Sequence, residues 1–190
     1  MTELIMKPRA MRQAQAKVRR IIPQREQVLE KDLHQFDCLN AVIKETFCLH
    51  PMVPVLLPRE SIQDVTIDGY EIPAKTQVFG NVWKKGRDPK SWENPEEFNP
   101  DRFIGCDIDF KGQDFELLPF GAGRIGCPGI ALGAVTIELA LAWLLHRFDW
   151  ELPLGVRAED LDLTEAYGIT MHKIENLVLV AKPQLHESIC

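Results

Sequence analysis

At 190 residues the chain has the length of one domain, and a content of 45% hydrophobic and 26% charged residues is that of a globular protein able to bury a core. The formal net charge of −6, from 22 basic and 28 acidic residues, argues against general nucleic-acid binding. The cysteines (Cys38, Cys48, Cys106, Cys127 and Cys190) are odd in number, form no C-x-x-C pair and follow no signal-like apolar run, which argues against a disulfide framework and against structural zinc.

Residues 1–7 read as the end of a helix, and Pro8 can open another. Met11, Ala14, Val18 and Ile21 then recur at helical spacing, with Arg9, Arg12, Lys17, Arg19 and Arg20 on the opposite face. That face is either solvated or a patch for an acidic partner. Pro23 ends this helix. Asp32 can cap the next, which would bury Leu33, Phe36, Leu39, Val42 or Ile43, and Phe47 before stopping ahead of Pro51. Taken alone, Glu45 on this helix reads as a surface charge. Residues 53–82 read as strands, with a hairpin turning at Asp68-Gly69 and a third strand over 77–83. Residues 84–101 are dense in Gly, Pro, Asp and Asn, hence loop. The apolar run 130–145 contains Glu138, falls short of the ~20 residues that span a bilayer, and reads as a buried helix. A short strand at 148–152, and a closing pair of strands at 167–171 and 177–181, complete the chain. His172 sits at a strand end, where it is expected to be exposed.

The stretch Leu118-Pro119-Phe120-Gly121-Ala122-Gly123-Arg124-Ile125-Gly126-Cys127-Pro128-Gly129 carries the chemistry. Glycines let a backbone approach a flat ligand closely. Pro128 suits the first position of the helix that follows, which puts Cys127 at a helix N-terminus, where the thiolate is favoured. A thiolate on a rigid loop is an iron ligand, and it is the one that favours O–O cleavage at heme. Gly121, Gly123 and Gly126 also spell G-x-G-x-x-G, but a dinucleotide site needs a strand before the loop and another ahead of an acidic residue such as Asp149. Pro119 and the long helix leave room for neither. A structural glycine turn around an inert cysteine is the other plain reading.

The cysteine stretch resembles the heme loop of the cytochrome P450 superfamily, F-x-x-G-x-R-x-C-x-G, through Phe120, Gly123, Cys127 and Gly129, with Ile125 where the family has arginine. Three further segments resemble that superfamily in order. Glu45-Thr46-Phe47-Cys48 looks like its E-x-x-R helix, with Cys48 at the arginine position. Pro58-Arg59-Glu60 is similar to a segment whose arginine contacts a heme propionate. Residues 86–103, through Gly86-Arg87-Asp88-Pro89, Trp92-Glu93-Asn94-Pro95 and Pro100-Asp101-Arg102-Phe103, resemble its meander, in which Arg102 completes a Glu-Arg-Arg set. Glu165-Ala166-Tyr167-Gly168-Ile169-Thr170 is similar to the substrate-side turn of the plant microsomal members.

The resemblance implies a mainly α fold with small β-sheets (α+β), the C-terminal part of the superfamily's fold and incomplete. It would run as one partial domain: helical 1–50, β-sheet 51–83, meander 84–119, heme-cysteine loop 120–129, proximal helix 130–146 and C-terminal strands 147–190. It implies a heme monooxygenase with Cys127 as axial iron ligand and Phe120, Gly123, Gly129, Arg59 and Arg124 as heme contacts. Arg124 would cover a propionate only in part, its side chain being directed elsewhere. Glu45 and Arg102 would be a structural pair that has to meet without the arginine Cys48 replaces. An NADPH-dependent flavoprotein reductase would supply electrons and the substrate would be small and apolar, with 53–57 and 167–169 as candidate contacts. The place of action would be the cytosolic face of the endoplasmic reticulum, although no anchor stands in these residues, so that the chain as it stands could be cytosolic. The superfamily's long central helix, with its proton-delivering acid–alcohol pair, has no counterpart here, and Met1-Thr2-Glu3-Leu4-Ile5 resembles the sequence just after it. No normal turnover is therefore expected of these 190 residues alone, and the alternative is a truncated remnant that binds heme weakly or not at all.

Overall fold

The computed structural model describes residues 1–23, 27–168 and 170–184. Helices α1 (Thr2–Met6) and α2 (Pro8–Ile21) are parted by Lys7, because Pro8 has no N–H to continue the first helix and a φ that suits the start of the second. α2 buries Met11, Ala14 and Val18 as one stripe. Its basic face is largely tied into the chain. Lys17 lies 3.3 Å from Asp37, Arg9 3.2 Å from Asp101 and Arg19 2.9 Å from Asp149, and Arg19 also donates to the carbonyls of Leu145 and Phe148.

The next helix begins later than Asp32. Glu30–Gln35 is a 3-10 turn in which the Asp32 carboxylate accepts from the Leu29 N–H at 2.9 Å. Asp32 thus caps the turn, a competing local bond that short acidic side chains make readily. Phe36, fully buried with φ −99° and ψ 59°, interrupts the helical path before α3 (Asp37–Leu49). α3 buries Leu39, Val42, Ile43 and Phe47, and with them Glu45 and Cys48.

Four small antiparallel sheets follow among the described residues. β1 (Arg59–Glu60) pairs with β4 (Gln77–Val78), and β2 (Val65–Ile67) with β3 (Tyr70–Ile72). The β2–β3 hairpin turns on Asp68 (φ 50°) and Gly69 (φ 83°), the two positive values that an Asp-Gly turn supplies. The strands expected at 53–57 and 79–83 do not form. Residues 53–55 are turns, and Asn81, whose side chain accepts from the Lys84 N–H at 2.9 Å, opens the short α4 (Val82–Lys85). β5 (Phe148–Glu151) pairs with the distant β8 (Val180–Pro183), and β6 (Glu165–Ala166) with β7 (His172–Lys173). Of the two expected closing strands, 167–171 forms no strand among its described residues and lies between β6 and β7, while only the end of 177–181 enters β8, whose partner is β5. Ile169 and Cys190 lie outside the described residues.

α5 (Ile130–Arg147) packs across α2 and α3 and buries Ala134, Ala142, Leu145 and His146. Deep burial was expected on nearly every side, but Leu132 is 76% exposed and Ile137 and Trp143 are also open. Elements of this chain cover only one face of the helix. With 18 residues and a mean hydropathy of 1.5, α5 is long and apolar enough to cross a membrane by length and composition, and it packs on α2 and α3 through one face with 22% of it buried.

Candidate functional site: the cysteine loop and the carboxylate behind it

The loop is held by its flanks. Phe120 meets Phe47 of α3 edge-on, with ring centroids 5.1 Å apart, and Phe110 at 6.0 Å, while Phe47 and Phe110 are 5.3 Å apart. Such pairs add ~0.5–1.5 kcal/mol each beyond their burial, so this trio anchors the loop's entry to the core. The chain then turns sharply through Gly121 (φ 73°) and Gly123 (φ 70°), values that residues with a Cβ rarely adopt. The Cys127 N–H closes the loop by donating to the Phe120 carbonyl at 3.0 Å. No strand precedes the loop, so the dinucleotide reading has no structural footing here.

Cys127 is exposed and unpaired in any disulfide. It lies two residues before Gly129, which caps α5, so Pro128 precedes the helix instead of being its first residue. The first turn forms from Gly129 without proline's help, since the Gly129 carbonyl already accepts from the Gly133 N–H at 2.8 Å. A Cβ on Gly129 would meet the Cys127 Sγ at 3.8 Å, an ordinary contact, so this glycine lies against the sulfur. Cβ positions at Gly123 and Gly133 meet nothing within 4 Å, and Leu132 beside them is exposed. The donor set and the open, glycine-lined, partly apolar surface suit one face of a heme whose iron takes the Cys127 thiolate.

Arg59 reaches the loop from β1. Its Nη2 donates to the Ile125 carbonyl at 2.8 Å, which leaves other guanidinium N–H groups for a carboxylate. Arg124 is exposed on the 3-10 turn Gly123–Ile125. Ile125 itself is 69% exposed. The structure thus brings Phe120, Gly123, Cys127, Gly129, Arg59 and Arg124 into one neighbourhood.

Glu45 and Arg102 form the second neighbourhood, behind the loop on α3. Glu45 is fully buried, which corrects its reading as a surface charge. Its Oε1 accepts from the Asn99 N–H at 2.7 Å, and its Oε2 lies 3.2 Å from the Arg102 Nε. The hydrogens of Arg102, however, go to main-chain carbonyls: Nε to Asn99, and Nη2 to Glu97 at 2.8 Å and to Asn94 at 3.2 Å. Oε2 of Glu45 accepts no hydrogen bond among the described residues. Burial therefore dominates and pushes the carboxyl up to about 7, with the Asn99 hydrogen bond and the Arg102 charge opposing it.

Cys48 is also buried, three residues after Glu45 on α3. Its Sγ donates to the Gly86 carbonyl at 3.4 Å, and burial, with Glu45 nearby, pushes the thiol up to about 12. It supplies no charge to Glu45. Sequence reasoning did not find this Gly86 contact, nor the role of Phe47 and Phe110 behind the loop, because all three depend on segments remote in the chain. The Asn99-Pro100 step was the one local signal, since an asparagine before a proline-opened turn caps it: Asn99 Oδ1 accepts from the Asp101 N–H at 3.2 Å.

Residues 1–180 match the family model described as Cytochrome P450. The chain belongs to the cytochrome P450 family. It is 64% identical over 184 residues to "Cytochrome P450 71AP13" of Prunus mume, covering 97% of this chain and 36% of that protein. To "Cytochrome P450 71A1" of Persea americana it is 58% identical over 185 residues, covering 97% of this chain and 37% of that protein. Among solved structures, a zebra fish cytochrome P450 determined with abiraterone superposes with a TM-score of 0.85 at 29% identity, over 96% of this chain and 41% of that one. The chain thus spans little more than a third of the length of these plant P450 relatives, and its mixed helices and small sheets are an incomplete P450 fold.

Proposed function

We propose that this chain is the thiolate-bearing part of a heme monooxygenase, in which Cys127 ligates the iron. The observation that carries the reading is the exposed Cys127 on a closed glycine loop, clamped by the Phe47–Phe110–Phe120 trio and reached by Arg59. When bound, heme supplies O2 activation and transfer of one oxygen atom to a small apolar substrate. The residues supply orientation and electrostatics. Cys127 would supply the thiolate that holds the iron, Gly123 and Gly129 would let a flat ring approach, and Phe120 anchors the loop to the core. Arg59 and Arg124 are the cations that would face propionates, a task for which a planar guanidinium is suited. Ile125 cannot share it. Electrons come from NADPH through a flavoprotein reductase, at the cytosolic face of the endoplasmic reticulum.

The superfamily's central helix with its proton-delivering pair has no counterpart in this sequence, which spans little more than a third of its relatives, so no normal turnover is expected of the chain expressed alone. A second reading, a non-catalytic remnant that holds heme weakly or not at all, is favoured by the unsatisfied Glu45 oxygen and the open face of α5. One spectrum separates them. The chain is loaded with heme, reduced and exposed to carbon monoxide beside Cys127→Ser. A strongly red-shifted Soret band that is lost in the variant supports thiolate ligation. A band like that of free or histidine-bound heme, the same in both proteins, leaves the remnant reading.

A further inference from the structure

His50 follows the last residue of α3, and each of its ring nitrogens faces a carboxylate. Nδ1 lies 2.7 Å from Glu165 Oε1 and Nε2 lies 2.9 Å from Glu3 Oε1. An ionised carboxylate only accepts, and a neutral imidazole has one N–H to give. Both contacts are charge-assisted hydrogen bonds only when the ring is an imidazolium. The three side chains are mostly buried, at 25% exposure for His50, 14% for Glu3 and 22% for Glu165. They come from three elements: α1, the end of α3, and β6.

The β6–β7 hairpin has few other ties. Its own ladder is two residue pairs long, extended by the Ile174 N–H to the Thr164 carbonyl at 2.9 Å. Past its turn, the Met171 N–H donates to the Met52 carbonyl at 2.7 Å. The hairpin and the three clasping side chains border a cavity of about 770 Å³, whose other walls include Trp83 and Arg87. We propose that His50 is a proton-operated clasp, which as imidazolium pins the β6–β7 hairpin to α1 and α3 and so fixes one wall of this cavity, and which releases that wall on losing its proton.

The surrounding charges agree. Glu3 of α1 and Glu165 of β6 face the ring directly, Glu45 lies one turn back along α3, and the Met1 ammonium is beside Glu3. Arg87 and Glu96 stand across the cavity, paired with each other at 3.0 Å. Burial alone would lower the imidazolium pKa, but the hydrogen bonds that its N–H groups donate to Glu3 and Glu165, with the charges of those carboxylates, outweigh it and raise it above the ordinary histidine value. A group raised on folding contributes stability that is complete below its unfolded pKa and is lost as pH rises through the folded one. The clasp is therefore closed below the ordinary histidine pKa and opens as pH rises through the raised one. His50 is a positioning residue in this role, and the role is independent of heme.

The test follows each histidine ring of the 190-residue chain by NMR against pH, and hydrogen exchange of the 164–174 amides on the same samples. His50 is expected to titrate above the ordinary histidine value, with a midpoint that falls in Glu3→Gln and in Glu165→Gln. Protection of the hairpin amides is expected to drop about tenfold across that same midpoint, while protection in α2 stays level. A His50 that titrates at or below the ordinary histidine value overturns the proposal, as does hairpin protection that ignores the His50 midpoint. Both decisive readings are made on the unsubstituted chain, so neither variant has to fold for the question to be answered.

Discussion

Glu45 carries the consequence of a single neighbour. With cysteine at position 48, the nearest cation is Arg102, and its hydrogens serve the carbonyls of Asn94, Glu97 and Asn99. The carboxyl of Glu45 rises to about 7, against an ordinary value of 4.5. A carboxyl raised on folding works in the unusual direction: the unfolded chain ionises first, so stability is complete below about pH 4.5, falls as pH rises to about 7, and stays lower above. At ~1.36 kcal/mol per pKa unit the fall is on the order of 3 kcal/mol. Glu45→Gln should remove that share of the fall, so the difference in denaturant stability between pH 4.5 and pH 8 should shrink by about 3 kcal/mol, leaving the contribution of other groups such as His50. An undiminished difference between the two conditions in the variant would place the pH dependence elsewhere. The E-x-x-C pattern was legible in the sequence. That the buried oxygen is left without a donor was not, because it depends on where the Arg102 hydrogens point.

At the scale of elements, the meander touches α3 so closely that one glycine is obligatory. A Cβ on Gly86 would lie 2.2 Å from the Cys48 carbonyl oxygen, in backbone that cannot give way without moving the last turn of α3. Gly86→Ala is expected to destabilise the chain by about 3 kcal/mol or more, as overpacking at a rigid contact does, and thermal unfolding would measure it. Gly133→Ala is the control, since its Cβ would meet nothing within 4 Å. In α5 that change should be neutral or stabilising, by up to about 1 kcal/mol. Local chemistry made some elements legible: Pro8 opening α2, and Asp68-Gly69 turning β2 into β3. The 3-10 turn at Glu30–Gln35 and the pairing of β5 with β8 were not, since the first follows from Phe36 taking a buried, non-helical place and the second joins segments about thirty residues apart.

For the molecule as a whole, the open surface is the main fact. Leu57 is 62% exposed, Leu132 76% and Tyr70 76%, and the lipophilic face of α5 lacks a cover among the described residues. Apolar faces of this kind promote association. Sedimentation of the isolated chain should show oligomers that grow with concentration, and Leu132→Lys combined with Ile137→Lys should shift it toward monomer. A monodisperse monomer at every concentration would show that these faces do not drive assembly.

By itself the sequence determined the family, through four motifs in order, and it singled out Cys127, Glu45 and Arg102 as candidates together with the two positions, Cys48 and Ile125, that differ from the family's arginines. Those are properties of residue type and spacing, which survive without coordinates. Only the tertiary structure decided that Arg59 meets the loop at the Ile125 carbonyl, that Phe47 and Phe110 hold Phe120, and that one face of α5 stays open. It alone joined His50 to Glu3 and Glu165. Each of these rests on contacts between segments far apart in the chain, and such contacts leave no periodicity for a sequence to show.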